Sequence, residues 1–285
     1  MKILEAASDM RAQSATWRLA GERIGFVPTM GNLHAGHLSL VERARQRADR
    51  VVVSIFVNPL QFGPHEDFER YPRTFEADVE KLAALGVDAV FHPAVETMYP
   101  RWPQPTVVRA DPDLAARWEG AARPGHFDGV TTVVLKLFNL VQPDVAVFGQ
   151  KDYQQWRILS RMVEDLDVPV EMVRAPIARE QDGLAMSSRN QYLNARQRAI
   201  APALYATLCR TAEALLAGSP VADALEAGTA RLQEAGFDAV DYLALCDGDT
   251  LEPLAVVRPG AVLLAAARLG TTRLLDNLLL DEPGG

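Results

Sequence analysis

The chain has 285 residues, 48% hydrophobic and 23% charged, and carries a formal net charge of −8. That apolar content is enough for a real core. The acidic balance argues against a general nucleic-acid or anionic-membrane binder, so neither nucleic acid nor membrane is expected as a partner, although net charge says nothing about a local basic cleft. The two cysteines, Cys209 and Cys246, form neither a disulfide framework nor a paired metal spacing, which fits a reducing cytoplasm.

The length allows one large domain or two smaller ones. Met1-Lys2-Ile3-Leu4-Glu5 lacks the apolar core of a signal peptide, and no run approaches a membrane span. A mean hydropathy of −0.03 agrees, and a cytoplasmic protein is expected.

In chain order, residues 5–20 read as a short helix and 23–27 as a strand ending at Pro28. Residues 38–48 show helical spacing, and Val51-Val52-Val53-Ser54-Ile55-Phe56-Val57 is a β-branched run typical of a strand buried on both faces. It stops at the turn signal Asn58-Pro59. The pattern then repeats: helix 76–85 closed by Gly86, strand 87–91, helix 131–141, strand 144–149, helix 153–166 and strand 168–173. This alternation predicts an α/β chain with an open parallel sheet and helices on both faces, with ligands at the carboxyl ends of the strands. Beyond about residue 177, helices 195–217 and 220–235 precede strands 237–245, 255–257, 261–269 and 274–278. A second, smaller α+β domain is expected there, giving domains 1–177 and 178–285. Residues 281–285 read as a frayed tail.

Between the first strand and the first helix lies His34-Ala35-Gly36-His37. Gly36 lets a phosphate approach the backbone, the helix start points N–H groups and a positive dipole end at it, and two imidazoles add donors. The competing readings are two helix-capping histidines or half a zinc site, for which no third ligand lies at metal spacing. Asn58 or Gln61 could orient a polar substrate through an amide, or simply build a turn. Asp78 could hold Mg²⁺, or could be a carboxylate favoured by the dipole of its helix. Arg123-Pro124-Gly125-His126-Phe127-Asp128-Gly129-Val130 is a shaped loop given positive character by Arg123 and His126, or else a connecting loop with ordinary solvated charges. Gly149-Gln150-Lys151-Asp152-Tyr153-Gln154-Gln155 is a second strand-to-helix turn, with Lys151 able to follow a phosphate, Asp152 able to cap the helix, and Gln155 on its first turn. Ser187-Ser188-Arg189 offers two hydroxyls and a guanidinium to a phosphate, or an N-cap and an exposed loop.

These motifs together resemble the pantothenate synthetase family of pantoate–β-alanine ligases over nearly the whole chain. The resemblance rests on Pro28-Thr29-Met30-Gly31 with His34-Ala35-Gly36-His37, then Phe56-Val57-Asn58-Pro59-Leu60-Gln61-Phe62 and Tyr71-Pro72-Arg73-Thr74. It continues through Arg123-Pro124-Gly125-His126-Phe127, Gly149-Gln150-Lys151-Asp152-Tyr153-Gln154-Gln155 and Met186-Ser187-Ser188-Arg189-Asn190. It implies a Rossmann-like doubly wound N-terminal domain, a smaller C-terminal lid and a homodimer. ATP, pantoate and β-alanine are the implied substrates and Mg²⁺ the implied cofactor. His34, His37, Lys151, Ser187, Ser188 and Arg189 would bind the ATP phosphates, and Asp152 the ribose. Gly149 would let the nucleotide lie against the backbone. Gln61 and Gln155, with Asn58, would hold pantoate; Met30 would pack near that pocket, and Asp78 would lie near Mg²⁺. Position 35, often acidic in the family, is Ala35 here. The implied reaction passes through pantoyl adenylate. A nucleotidyltransferase that keeps the nucleotide in its product, and a non-catalytic nucleotide binder, are the alternatives on such a fold.

Overall fold

The computed structural model describes residues 1–280 apart from 65 and 67, so the tail expected at 281–285 lies outside the described residues. The chain divides into two units, Met1–Gly149 with Gln154–Ala175, and Gln150–Tyr153 with Pro176–Gly285.

The first unit is built on six strands: β1 (Lys2–Leu4), β2 (Ile24–Thr29), β3 (Arg50–Ile55), β4 (Ala89–Phe91), β5 (Val145–Gly149) and β6 (Glu171–Ala175). All pair in parallel, in the order β1-β4-β3-β2-β5-β6. From β2 the chain steps one way to β3 and β4, then returns to place β5 and β6 on the other side. The switch between β2 and β5 leaves a crevice at their carboxyl ends, where such sheets take ligands. The helices are α1 (Ala7–Leu19), α2 (Ala35–Arg45), α3 (Phe75–Ala84), the short α4 (Val95–Met98), α5 (Pro112–Ala115) and α6 (Trp118–Ala122), then α7 (His126–Val141) and α8 (Tyr153–Asp165).

Strand alternation sends successive side chains to opposite faces. Val27, Val53 and Val147 pack with Leu40, Val41 and Ala44 of α2 and Leu82 of α3. Phe26 faces the other way and meets the Phe138 ring of α7 edge-on at 6.3 Å, and Phe138 in turn meets Phe148. The sheet is therefore covered on both faces, as the alternation predicted.

The second unit holds α9 (Ala195–Ile200), α10 (Ala203–Leu216), α11 (Val221–Ala235) and an antiparallel sheet β7 (Ala239–Asp247), β8 (Ala261–Leu269), β9 (Thr272–Leu279). Leu204, Leu208 and Leu215 of α10 and Leu232 of α11 share a core with Leu263, Ala265 and Ala267 of β8.

Several elements differ from expectation. The helix predicted over 195–217 is broken, because Pro202 has no N–H to continue α9 and instead stands at the start of α10. The strand predicted at 255–257 is irregular: Val256 is 68% exposed, and only a single bridge, Cys246 to Pro253, forms nearby. Two prolines, Pro253 and Pro259, flank it and deny it ladder donors. The strand predicted at 168–173 starts later, at Glu171, because Val168 N–H still bonds back to Val163 in the exit turn of α8. Among the described residues no helix is long and apolar enough to cross a membrane.

Candidate active site

The first unit presents three groups of the expected residues. His34 caps α2 with extended backbone, φ −123° and ψ 174°. Its Nδ1 accepts the Gly36 N–H at 3.1 Å, while His37 Nδ1 lies 3.4 Å from the His34 N–H in a reciprocal capping box. A backbone N–H only donates, so each Nδ1 is an acceptor and the neutral rings carry their proton on Nε2. The rings lie 4.1 Å apart, tilted by 42°. The pair therefore caps the helix, one of the competing readings of the motif, and the same caps fix its donor tautomer. Capping and anion binding are not rivals here.

The loop into α2 is held by Asp78. This carboxylate is wholly buried and accepts the N–H groups of Asn32 and Leu33, each at 2.8 Å, and the Thr74 hydroxyl at 3.0 Å. Lys81 joins from the next turn of α3, donating to the Leu33 carbonyl at 2.7 Å. Gly31 sits at φ +84°, and a Cβ there would meet Ile55 at 3.1 Å and Asp78 at 3.2 Å, so the turn requires glycine. Mg²⁺ was the other expectation for Asp78. Its oxygens are committed to this loop, and among the described residues no group of three or more His, Cys, Asp and Glu could hold a metal ion.

The second group is Asn58, Gln61 and Met30. Asn58 is 1% exposed. Its Nδ2 donates to the Gly129 carbonyl at 3.0 Å and to Gln61 Oε1 at 3.1 Å; its Oδ1 accepts from Tyr99 Oη at 2.7 Å and Leu60 N at 3.3 Å. The Gly129 carbonyl only accepts and the Leu60 N–H only donates, so the Asn58 amide has one orientation. That orientation fixes the Gln61 amide in turn: its Oε1 faces Asn58 and its Nε2 lies 3.1 Å from Met30 Sδ. Asn58 thus spends its hydrogen bonds on the protein and sets the pose of Gln61. The close approach of α7 to the turn Pro59–Gln61 demands Gly129, where a Cβ would fall 2.3 Å from the Leu60 carbonyl oxygen. Gly129 falls in the stretch read from sequence as a loop to Val130, but the chain is helical from His126; Tyr99 was not picked out, since nothing local marks it.

The basic loop supports Gln61 from its backbone side. His126 Nδ1 lies 2.8 Å from the Gln61 carbonyl, and Arg123 Nη1 lies 3.0 Å from His126 Nε2. The carbonyl requires a proton on Nδ1 and the guanidinium requires a lone pair on Nε2, so the imidazole is neutral. Burial, followed by the adjacent Arg123 charge, pushes it down to about 4. Arg123 also makes a two-pronged pair with Glu66, with Nε to Oε1 at 2.7 Å. Burial opposes ionisation of Glu66, but the bond and charge of Arg123 outweigh it and hold the carboxyl below its usual range.

The third group lies at the end of β5. A Cβ on Gly149 would touch only Leu40, at 4.0 Å, so the backbone there is open to close approach. Gln155 is half-buried on the first turn of α8. Its neighbour Gln154 is buried and committed, bonding Leu114, Arg117 and Glu119.

The second unit holds the remaining residues. Lys151 and Asp152 lie on the turn Gln150–Asp152, with Lys151 Nζ 3.4 Å from Asp152 Oδ1. Ser187 caps the turn Ser188–Tyr192, its Oγ accepting the Arg189 N–H at 3.3 Å.

The sequence profile of the family described as Pantoate-beta-alanine ligase matches residues 2–279. The chain belongs to the pantoate–β-alanine ligase family. It is 54% identical to the pantothenate synthetase of Hydrogenovibrio crunogenus, over 99% of this chain and 100% of that protein. It is 56% identical to the pantothenate synthetase of Halorhodospira halophila, over 98% of each. Among solved structures, the pantothenate synthetase of Thermus thermophilus superposes with a TM-score of 0.92 at 49% identity, covering 98% of this chain and 99% of that one. The pantoate-beta-alanine ligase of Francisella tularensis, solved in complex with beta-gamma ATP and beta-alanine, gives 0.83 at 32% identity, covering 99% of each chain. As a member of the pantoate–β-alanine ligase family, the chain is an enzyme that joins an acid to an amine.

Proposed function

We propose that the chain condenses (R)-pantoate with β-alanine, consuming ATP and releasing pantothenate, AMP and pyrophosphate, through a pantoyl-adenylate intermediate. The observation that carries this reading is the capped His34–His37 pair at the carboxyl end of β2, beside the switch point of the sheet. In the first step the pantoate carboxylate attacks the α-phosphorus of ATP and the bond to pyrophosphate breaks. The carboxylate is already ionised near pH 7, so no general base is required. What the step requires is alignment and donors for phosphate charge. His34 and His37 supply these through Nε2, and Lys151, Ser187, Ser188 and Arg189 are the further phosphate ligands of this reading. In the second step the free amine of β-alanine attacks the acyl carbon, the amide forms and AMP leaves.

Gln61 and Gln155 hold pantoate. Asn58 acts through Gln61, and Met30 lines the same side. Gly149 admits the nucleotide against the backbone, and Asp152 bonds the ribose. Residues 1–177 act as the catalytic domain and 178–285 as the lid, with a cytoplasmic homodimer as the working form. The family resemblance brings Mg²⁺ with ATP; no protein ligand for it is assigned, and Asp78 is given to the loop.

The test is incubation with ATP, pantoate and β-alanine. Stoichiometric AMP and pantothenate are expected. Pyrophosphate without AMP would make the chain a nucleotidyltransferase, and no turnover would make it a binder; either result overturns the reading.

A further inference from the structure

Two adjacent side chains on β9, Asp276 and Asn277, are 4% and 2% exposed, an unusual pair of polar groups for the interior of a strand. Neighbours on a strand point to opposite faces, so one residue pair can hold two different segments.

Asn277 holds the turn that carries Lys151. Its Nδ2 donates to the Gln150 carbonyl at 2.9 Å and to the Lys151 carbonyl at 3.0 Å, and its Oδ1 lies 3.2 Å from Gln150 Nε2. All the hydrogen-bonding capacity on that amide nitrogen is directed at the backbone of the turn. These bonds bring Gln150–Tyr153 into the second unit although the preceding residues belong to the first.

Asp276 holds the hairpin that leads into Ser187. Both its oxygens take the Arg179 guanidinium, at 2.7 and 2.9 Å. Arg179 also donates to the Gly183 carbonyl at 3.1 Å and lies 3.5 Å over the Tyr205 ring. The hairpin itself is closed by the Arg179–Ala185 bridge and the Met186 to Ala178 hydrogen bond, one residue before Ser187. The two halves of the anchor are joined, because Asp276 Oδ1 accepts the Asn277 backbone N–H at 2.8 Å.

We propose that Asp276 and Asn277 are positioning residues that set Lys151 and the Ser187–Arg189 turn in one rigid frame for the phosphates of ATP. Neither touches substrate; each acts through the segment it holds. This rests on the reading of Lys151, Ser187 and Arg189 as phosphate ligands.

The test is ATP–pyrophosphate exchange in the presence of pantoate, on the full chain, with Asn277→Asp. The aspartate keeps the size and the acceptor but replaces the donating nitrogen by an oxygen facing two carbonyls. Exchange kcat/KM for ATP should fall roughly tenfold to a hundredfold, the scale of a misplaced reacting group, with KM for pantoate unchanged. In a Lys151→Ala background the same substitution should add less than about threefold, because the group it positions is gone. Asn277→Ser, which keeps one donor and adds no charge, is the second variant and should give an intermediate loss of exchange at a temperature where its melting profile shows it fully folded. Exchange within about twofold of the parent for both folded variants overturns the proposal, as does an equal loss in the Lys151→Ala background. If Lys151→Ala alone leaves exchange unchanged, the role of Lys151 falls first and the anchor's with it, which separates the two failures.

Discussion

His126 donates its Nδ1 proton to the backbone carbonyl of Gln61 at 2.8 Å, across 65 residues of sequence. A ring so placed must stay neutral, since its other nitrogen accepts from Arg123. The carbonyl of a residue assigned to pantoate is thus tied to a titratable group, and the first prediction concerns its pH dependence.

The His126 imidazole is held at about 4 in the fold against an unfolded value of 6.5. The unfolded chain therefore binds more protons between those values. The stability tied to the neutral ring is complete above pH 6.5 and is lost as pH falls towards 4. The shift sets an upper bound on the loss of about 3 kcal/mol. The urea midpoint should fall further between neutral pH and about pH 4.5 for the parent than for His126→Gln, which has no proton to gain. Equal pH slopes would remove the buried neutral histidine.

Asn58→Asp tests whether the Asn58 amide acts through Gln61. The substitution leaves the Gly129 carbonyl and Gln61 Oε1 facing an oxygen where each now receives a hydrogen bond. Unfolding free energy should drop by about 1–3 kcal/mol. Steady-state kinetics should show a raised KM for pantoate with KM for ATP little changed. A selective loss on the ATP side would place Asn58 elsewhere in the mechanism.

The residues that sequence made legible are those whose signal is local. His34-Ala35-Gly36-His37 sits where a strand becomes a helix, so both its cap and its donors follow from spacing along one turn. The β-branched run at 51–57 gave β3 for the same reason, whereas the break at Pro202 was missed although its signal is equally local, because composition favoured one helix through it. What was not legible depends on contacts far along the chain. Asp78 reads as a first-turn carboxylate until Asn32 and Leu33, 46 and 45 residues away, are seen on its oxygens. Asn58 reads as a turn residue or a ligand until Gly129, 71 residues on, takes its amide. Lys151 follows β5 of the first unit directly in sequence, yet Asn277, 126 residues on, gives its backbone to the second unit. No periodicity or motif encodes such pairings.

His37→Ala removes one donor from the capped pair and the acceptor of its reciprocal bond to His34. The adenylation barrier should rise by at least ~2 kcal/mol, comparable to the loss of one electrostatic donor. ATP–pyrophosphate exchange with pantoate reads that step alone. An unchanged exchange rate would end the role given to His37.

Asp78→Asn separates a loop anchor from a metal ligand. An anchor accepts three hydrogen bonds, from Asn32, Leu33 and Thr74, and an amide offers one oxygen and two mismatched donors to them. The side chain is wholly buried, so the mismatch should cost about 1–3 kcal/mol of stability. The same substitution loosens the turn that delivers His34, which should lower exchange at every Mg²⁺ concentration by a common factor. A metal ligand behaves otherwise: its loss moves the midpoint of the Mg²⁺ titration and is overcome at high Mg²⁺. Titrating exchange with Mg²⁺ in parent and variant decides between them. The parallel curves expected here follow from Asp78 having both oxygens already engaged by the loop it holds.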